Sequence, residues 1–268
     1  MLDYTAPEKL LKNRIILITG AGDGIGRAAA IDCSRLGATV ILLGRTLEKL
    51  EAVYDVIERA GHGQPAIYPL DLRTATDEDY IELAEVLEGE FGRLDGLLHN
   101  ASILGERTPL SQYESRTWRL VMHVNVTAAF MMTKALMPLL DTSKDASVIF
   151  TTSGVGAQGK AYWGAYSVSK FAIEGMAQVL AEETENTSSI RVNIINPGAT
   201  RTNMRAQAYP GEDPGLNLTP ESIMPTYQYL LGPDSKGITG KRFNAQEMAK
   251  EPKEETNSSD NDFQASEE

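Results

Sequence analysis

Residues 15–26 read Ile-Ile-Leu-Ile-Thr-Gly-Ala-Gly-Asp-Gly-Ile-Gly, and this stretch decides the fold. Ile15 to Ile18 form the continuous apolar run of a strand buried on both faces. Thr19 and a glycine-rich turn follow, with glycines at 20, 22, 24 and 26. Beyond Gly26 the sequence becomes helical, through Arg27, three alanines, Ile31, Cys33 and Leu36. A buried strand feeding a glycine turn that opens a helix is a cradle for a pyrophosphate. Glycines let the backbone approach the anion, and the helix N-terminus offers unpaired N–H groups and a partial positive charge. The spacing G-x-G-x-x-G fails, because Ile25 stands where its third glycine belongs; G-x-x-x-G-x-G, at 20, 24 and 26, fits. A glycine triplet alone also suits an ordinary βα loop, so the segments downstream must decide.

Composition narrows the classes. The 268 residues allow one large α/β domain or two small ones, and 42% hydrophobic content can bury a sizeable core. A net charge of −12 argues against nucleic acid or an anionic membrane as the main partner, since both demand basic surface. The single cysteine, Cys33, excludes an internal disulfide and reads as a small core residue. His62, His99 and His123 show no metal-ligand spacing, so no metal site is expected; His62 reads as loop surface and the other two as packing residues. Met1–Arg14 lacks the apolar core of a signal peptide, and no run reaches 18 apolar residues. No membrane span is therefore expected, and the cytoplasm is the default location. The sequons at Asn125, Asn186 and Asn217 then read as chance triplets.

Strands alternate with helices along the chain. A second strand, Thr39–Leu43, ends at Gly44-Arg45. In dinucleotide folds the end of this strand meets the adenine ribose, where an acid favours NAD. Residues 43–46 hold no acid and include Arg45, whose guanidinium suits a 2′-phosphate, so NADP(H) is expected over NAD(H). Asp23 suits capping of the first helix. Leu47–Ala60 reads as a helix and Ala66–Leu70 as the third strand, followed by Asp71-Leu72. Asp79–Phe91 is helical; Gly96–His99 is the fourth strand and runs into Asn100-Ala101-Ser102. A long helix over Ser111–Leu140, broken by Pro138 near its end, carries Asn125 among valines. An unpartnered amide in such apolar surroundings costs of order 1–3 kcal/mol. Ser147–Thr151 is the fifth strand, and Ser153 follows it by two residues, at the end where parallel sheets place ligands. Tyr166 stands 13 residues after Ser153, and Lys170 four later, on the same helical face. Arg191–Ile195 is the sixth strand, running into Asn196-Pro197-Gly198. Residues 199–218 read as a mobile lid over substrate, and Pro220–Leu231 as the last helix.

T-G-x-x-x-G-x-G, N-A, an Asn in the long helix, Ser thirteen before Tyr, and Y-x-x-x-K stand here in the order of the short-chain dehydrogenase/reductase family. The chain resembles that family from about Arg14 to about Asn244. The N-terminal D-Y-T-A-P-E-x-L-L and the turn G-A-G-D-G-I-G further resemble its YciK-type bacterial subgroup. The resemblance implies a single doubly wound Rossmann domain over residues 1–245, with a mostly parallel seven-stranded sheet and helices on both faces. It implies catalysis by Asn125, Ser153, Tyr166 and Lys170. It places the cofactor against Gly20, Gly22, Asp23, Gly24, Ile25 and Gly26 of the turn, against Arg45, Asp71 (facing the adenine) and Leu72, and against Asn100 and Ala101. Tyr166 and Lys170 complete that contact, with Pro197 and Gly198 walling the nicotinamide and Thr200 or Thr202 bonding its carboxamide. Ile238–Gly240 resembles the closing strand, although Phe243-Asn244-Ala245 replaces the usual D-G-G. The family pattern is also departed from at His99 and Ser102, where relatives show N-N-A-G, and at Asp23, where NADP-preferring relatives often carry Arg or Lys.

Free tyrosine has a pKa near 10, and the Lys170 cation is expected to lower that of Tyr166 so that it serves as acid in ketone reduction and base in alcohol oxidation. Ser153 is expected to bond the substrate oxygen, Lys170 also to hold the nicotinamide ribose, and Asn125, by resemblance, to fix a water beside Lys170. Val155, Gln158, Tyr162, Trp163, Leu104 and Met204 are expected to line the pocket, which suits a mostly apolar carbonyl or alcohol substrate. Resemblance also implies a homodimer or homotetramer through helices near 115–137 and 162–184. Two rival readings stay open: a cofactor-binding redox sensor without turnover, and epimerase or dehydratase chemistry on the same scaffold. Relatives of the latter kind carry larger C-terminal substrate domains, whereas only about 70 residues follow Pro197. From Gln246 onward eight acids face two lysines, which accounts for six of the twelve net negative charges, and this acidic tail is expected to be disordered.

Overall fold

The computed structural model describes residues 4–248. Seven strands, β1 Ile15–Thr19, β2 Thr39–Gly44, β3 Ala66–Pro69, β4 Gly96–His99, β5 Ser147–Thr151, β6 Arg191–Asn196 and β7 Arg242–Asn244, form one sheet. Its order is β3-β2-β1-β4-β5-β6-β7, and every neighbouring pair is parallel. The doubly wound Rossmann arrangement read from the sequence is therefore observed, with a fully parallel sheet.

Alternation along each strand explains the two-sided core. Ile15 and Leu17, with Val148 and Phe150, face α3 (Asp77–Phe91), α5 (Ala128–Asp141) and α6 (Gly164–Thr184). Ile16 and Ile18, with Leu98 and Ile149, face α1 (Gly24–Arg35), α2 (Leu47–Arg59) and α8 (Met224–Leu231). Successive side chains of a strand point to opposite faces, so continuous apolar runs serve both layers at once. Cys33 is buried in the second layer.

Three helix and strand expectations are corrected. The long helix starts at Ser115: α4 spans Ser115–Met122, a π-helical turn spans His123–Thr127, and α5 continues to Asp141. Pro138 does not break it, because a proline near the C-terminal end removes only one of the last bonds and helical residues follow. By length and composition Ser115–Asp141 could cross a bilayer, with a mean hydropathy of 1.3; its apolar side packs on the sheet and α3 instead. The closing strand is Arg242–Asn244, a few residues beyond Ile238–Gly240. Residues 238–240 run beside β6, with Asn193 donating to the Ile238 carbonyl, Thr239 Oγ1 accepting from Val192 N, and Gly240 N donating to the Val192 carbonyl at 2.7 Å. Ala245–Met248 forms a short 3₁₀ turn; the rest of the expected acidic tail lies outside the described residues.

Candidate active site

The site is built along the carboxyl ends of the strands. At the end of β1, Gly20 adopts φ +69°, a left-handed conformation that favours glycine. A Cβ on Gly26 would fall on the Gly20 carbonyl, so α1 can close onto the turn only with glycine there. Thr19 ties this turn to β4. Its hydroxyl accepts from the backbone N–H groups of Asn100 and Ala101, both at 2.9 Å, while the Asn100 amide donates to the Thr19 carbonyl. These contacts span the point where the strand order reverses, where open α/β sheets leave a crevice.

Asp23 caps α1, accepting from Gly24 N at 2.7 Å. Its other oxygen accepts from Lys49 Nζ at 2.6 Å and from Asn203 Nδ2 at 3.0 Å. The hydrogen bond from Lys49 chiefly holds the Asp23 carboxyl below its ordinary pKa. Arg45, Lys49 and Arg73 line one end of the cleft together with Asp71. The sequence reading found Arg45 and missed the other two. Lys49 lies in the first turn of α2, four residues after Arg45; Arg73 reaches the cleft only because β3 pairs with β2. The Asp23 charge that seemed to oppose a phosphate is thus already matched by a lysine.

At the other end, β5 delivers Thr152 and Ser153, and a 3₁₀ turn over Gly154–Gly156 leads towards α6 with Tyr166 and Lys170. Tyr166 and Lys170 are both buried. Lys170 Nζ lies 5.4 Å from the centre of the Tyr166 ring and donates to the Thr151 carbonyl at 2.9 Å. Burial pushes the Tyr166 hydroxyl up to about 12, against a hydrogen bond with Ser153 that pulls it down. Burial also pulls the Lys170 ammonium down to about 8. Desolvation disfavours the charged form of either group.

Asn125 sits in the π turn, a local widening that often marks functional sites. Its amide is fully engaged, accepting from Ile103 N at 2.8 Å and donating to the Ile103 carbonyl and Ser169 Oγ. It therefore does not line the main cleft, but a small recess behind it that also touches Lys170, His99 and Thr151. His99 is buried, stacked on Phe150 at 4.7 Å and bonded to Thr133 at 2.8 Å.

Beyond β6, Pro197, Gly198, Thr200 and Thr202 line the cleft. Thr200 donates to the Pro197 carbonyl and Thr202 accepts from Arg205 N, so both hydroxyls already serve the local backbone. The expected lid contains a short helix, α7 Asn203–Ala208, and is fastened by Arg205 to Glu212 and by Arg201 to the Pro214 carbonyl. Leu104, Trp163 and Met204 line the cleft as read, and Val155 packs with Trp163 and Tyr166. Gln158 and Tyr162 are exposed and lie outside it; Tyr162 takes φ +69°, which turns the chain into α6.

All the predicted cofactor residues except Gly26, together with Ser153, line one cavity of about 620 Å³, within the range of small-molecule sites. Glycine backbone lies in its middle, three cations at one end and a tyrosine–serine–lysine group at the other. Those features fit a nicotinamide dinucleotide.

Known proteins share this fold. The family model of short chain dehydrogenases matches residues 14–213. An uncharacterized oxidoreductase of Escherichia coli K12, YciK, is 52% identical over 245 residues, covering 91% of this chain and 96% of its own. A Shigella flexneri 2a short chain dehydrogenase solved with NADP is 52% identical, with a TM-score of 0.87 over 90% of this chain and all of that one. An Escherichia coli CFT073 counterpart solved with NADPH is 54% identical, with a TM-score of 0.86 over the same shares. The expected likeness to the YciK subgroup is thereby borne out.

Proposed function

The chain belongs to the short chain dehydrogenase family, and from that premise we propose that it is an NADP(H)-dependent oxidoreductase interconverting a carbonyl and an alcohol. The observation that carries this reading is the placement of Tyr166, beside Ser153 and Lys170, in the same cavity as the glycine turn. The nicotinamide dinucleotide, when bound, supplies or accepts the hydride. Tyr166, as a protonated phenol, gives its proton to the carbonyl oxygen in reduction, a step worth roughly 10²–10⁴-fold in rate. Ser153 donates to the same oxygen as negative charge gathers on it. Lys170, charged below its pKa of about 8, stabilises the phenolate left behind. Asn125 holds the Ile103 backbone and Ser169, and so fixes the wall behind Lys170.

Arg45, Lys49 and Arg73 support a preference for NADP(H), since their positive charge suits a 2′-phosphate. The relatives solved with NADP and NADPH support the same reading. Exposed Phe130 on α5 and Val168, Phe171 and Val179 on α6 support pairing with a second copy. The test is NADPH oxidation against a panel of aldehydes, ketones and quinones, with NADH and Tyr166→Phe as controls. Turnover with NADPH that Tyr166→Phe loses at least about 100-fold is expected; full activity in that variant would sink the mechanism.

A further inference from the structure

A polar group that the hydride step leaves unused joins the end of β5 to α6 and β7. Glu174 stands on α6, four residues after Lys170 and so one turn further along the same face. Its Oε1 accepts from Thr152 Oγ1 at 2.7 Å and from Arg242 Nε at 3.2 Å. Thr152 is buried beside Ser153 in the chain, and Arg242 is the first residue of β7. Arg242 reaches in two further directions. Nη1 donates to Asn244 Oδ1 at 3.2 Å, and Nη2 donates to the Ser153 carbonyl at 3.4 Å. Asn244 Oδ1 also accepts from Asn196 Nδ2 at 3.1 Å, and Asn196 Oδ1 accepts from the Gly198 N–H at 3.2 Å.

One guanidinium thus holds the Ser153 backbone directly and the Gly198 backbone through two asparagines. Ser153 and Gly198 both line the cleft, whereas Glu174 and Arg242 do not. Packing ties the Ser153 turn to the same group. A Cβ on Gly156 would meet Thr152 Oγ1 at 2.5 Å and Glu174 Oε1 at 3.1 Å, so the turn packs against their hydrogen bond. The Glu174–Arg242 pair is partly exposed, with side chains at 12% and 30%, and such pairs add little to stability. A planar fork that meets three acceptors at once supplies geometry instead.

We propose that Glu174 and Arg242 are positioning residues that together fix the spacing between the Ser153 turn and the Pro197–Gly198 wall of the cleft. A nicotinamide held by that wall is thereby set against Ser153. The inference deepens the oxidoreductase reading and rests on its nicotinamide cofactor. Neither residue touches the reacting atoms; each acts through the backbone it holds. Thr152 supplies the link from Glu174 to the end of β5, and Asn244 with Asn196 the link from Arg242 to the end of β6.

Binding tests this without turnover. NADP and adenosine 2′,5′-bisphosphate, which lacks the nicotinamide half, are titrated by calorimetry into the full chain and into Glu174→Ala and Arg242→Leu. Each variant should bind NADP about fivefold more weakly and the bisphosphate within about twofold of the unaltered chain. The double variant should lose no more than the larger single loss, because either change releases the same clamp. Glu174→Gln keeps an acceptor for Thr152 and Arg242 and should restore NADP affinity to within about twofold. Unchanged NADP affinity in either single variant overturns the proposal. So does an equal weakening of NADP and the bisphosphate, which would make the pair a general support of the fold. Losses that add in the double variant, or a Gln variant as weak as the Ala variant, overturn it too. Both ligands are read in one preparation, so unfolded chain lowers the stoichiometry and leaves the ratio of affinities intact. An unaltered chain that binds neither ligand removes the cofactor reading and the proposal with it; ordinary binding by the unaltered chain and by every variant removes the proposal alone.

Discussion

The two edges of the sheet carry charge in opposite ways. At the amino edge, Arg14, Asp95, Asp145 and Arg191 stand at the starts of four adjacent strands, β1, β4, β5 and β6. Asp145 is held between Arg14 at 3.0 Å and Arg191 at 2.8 Å. Asp95 accepts from Ile15 N and Ser143 Oγ, and Arg191 donates further to carbonyls at Leu230 and Gly232 and to Ser235. At the carboxyl edge, Arg45 and Ser153 line open space, Asp23 and Lys49 meet only at its rim, and Tyr166 keeps a proton that burial makes hard to lose. Charge closed upon itself fixes strand ends; charge left open is available to a ligand.

The strongest way to break this contrast is Arg191→Leu. Removing one partner of a buried pair costs about 3–5 kcal/mol, so the urea midpoint should fall markedly while NADPH affinity of the folded protein changes less than about twofold. A loss of affinity larger than the loss of stability would show that the two edges are not separate.

Acid probes the ground between them. Burial pulls the His99 imidazole down to about 3, against an ordinary 6.5. Between those values the unfolded chain binds a proton that the folded chain refuses. The contribution is therefore intact above pH 6.5 and is lost on acidification, by at most about 1.4 kcal/mol per pH unit. His99→Asn should flatten the fall in unfolding free energy between neutral and mildly acid pH. Parallel losses in both proteins would remove His99 from the account.

The smallest effect is expected at Lys49. Its ion pair with Asp23 is about half exposed on each side, so Lys49→Met should cost under about 1 kcal/mol of stability. The preference for NADPH over NADH, read as the ratio of dissociation constants, should fall about fivefold, equivalent to ~1 kcal/mol. An unchanged ratio would leave Arg45 and Arg73 to carry the discrimination.

Much of the carboxyl edge was legible because it is written in local spacing. The run Ile15–Ile18, the turn to Gly26, and the Ser153, Tyr166 and Lys170 intervals each follow from strand or helix periodicity. What was missed depends on long-range placement. Arg73 and the closed amino-edge network become visible only once strands pair. The π turn at Asn125 has no period of its own, and it is what lets a polar amide sit satisfied among valines. The depth at which Tyr166 and Lys170 are buried is likewise not written in Y-x-x-x-K.

The turn at 245–248 has a practical meaning for anyone handling the protein. Gln246 packs so closely on Gly198 that a Cβ there would meet its side-chain carbon at 2.6 Å, and its amide donates to the Ala199 carbonyl at 2.9 Å. One wall of the cleft is thus buttressed by one of the final described residues. A truncation or fusion joint placed after residue 248 spares that buttress. One placed at 245 leaves all seven strands in hand and takes away the prop behind Pro197–Gly198, so a preparation could be well folded and still poorly shaped for its cofactor.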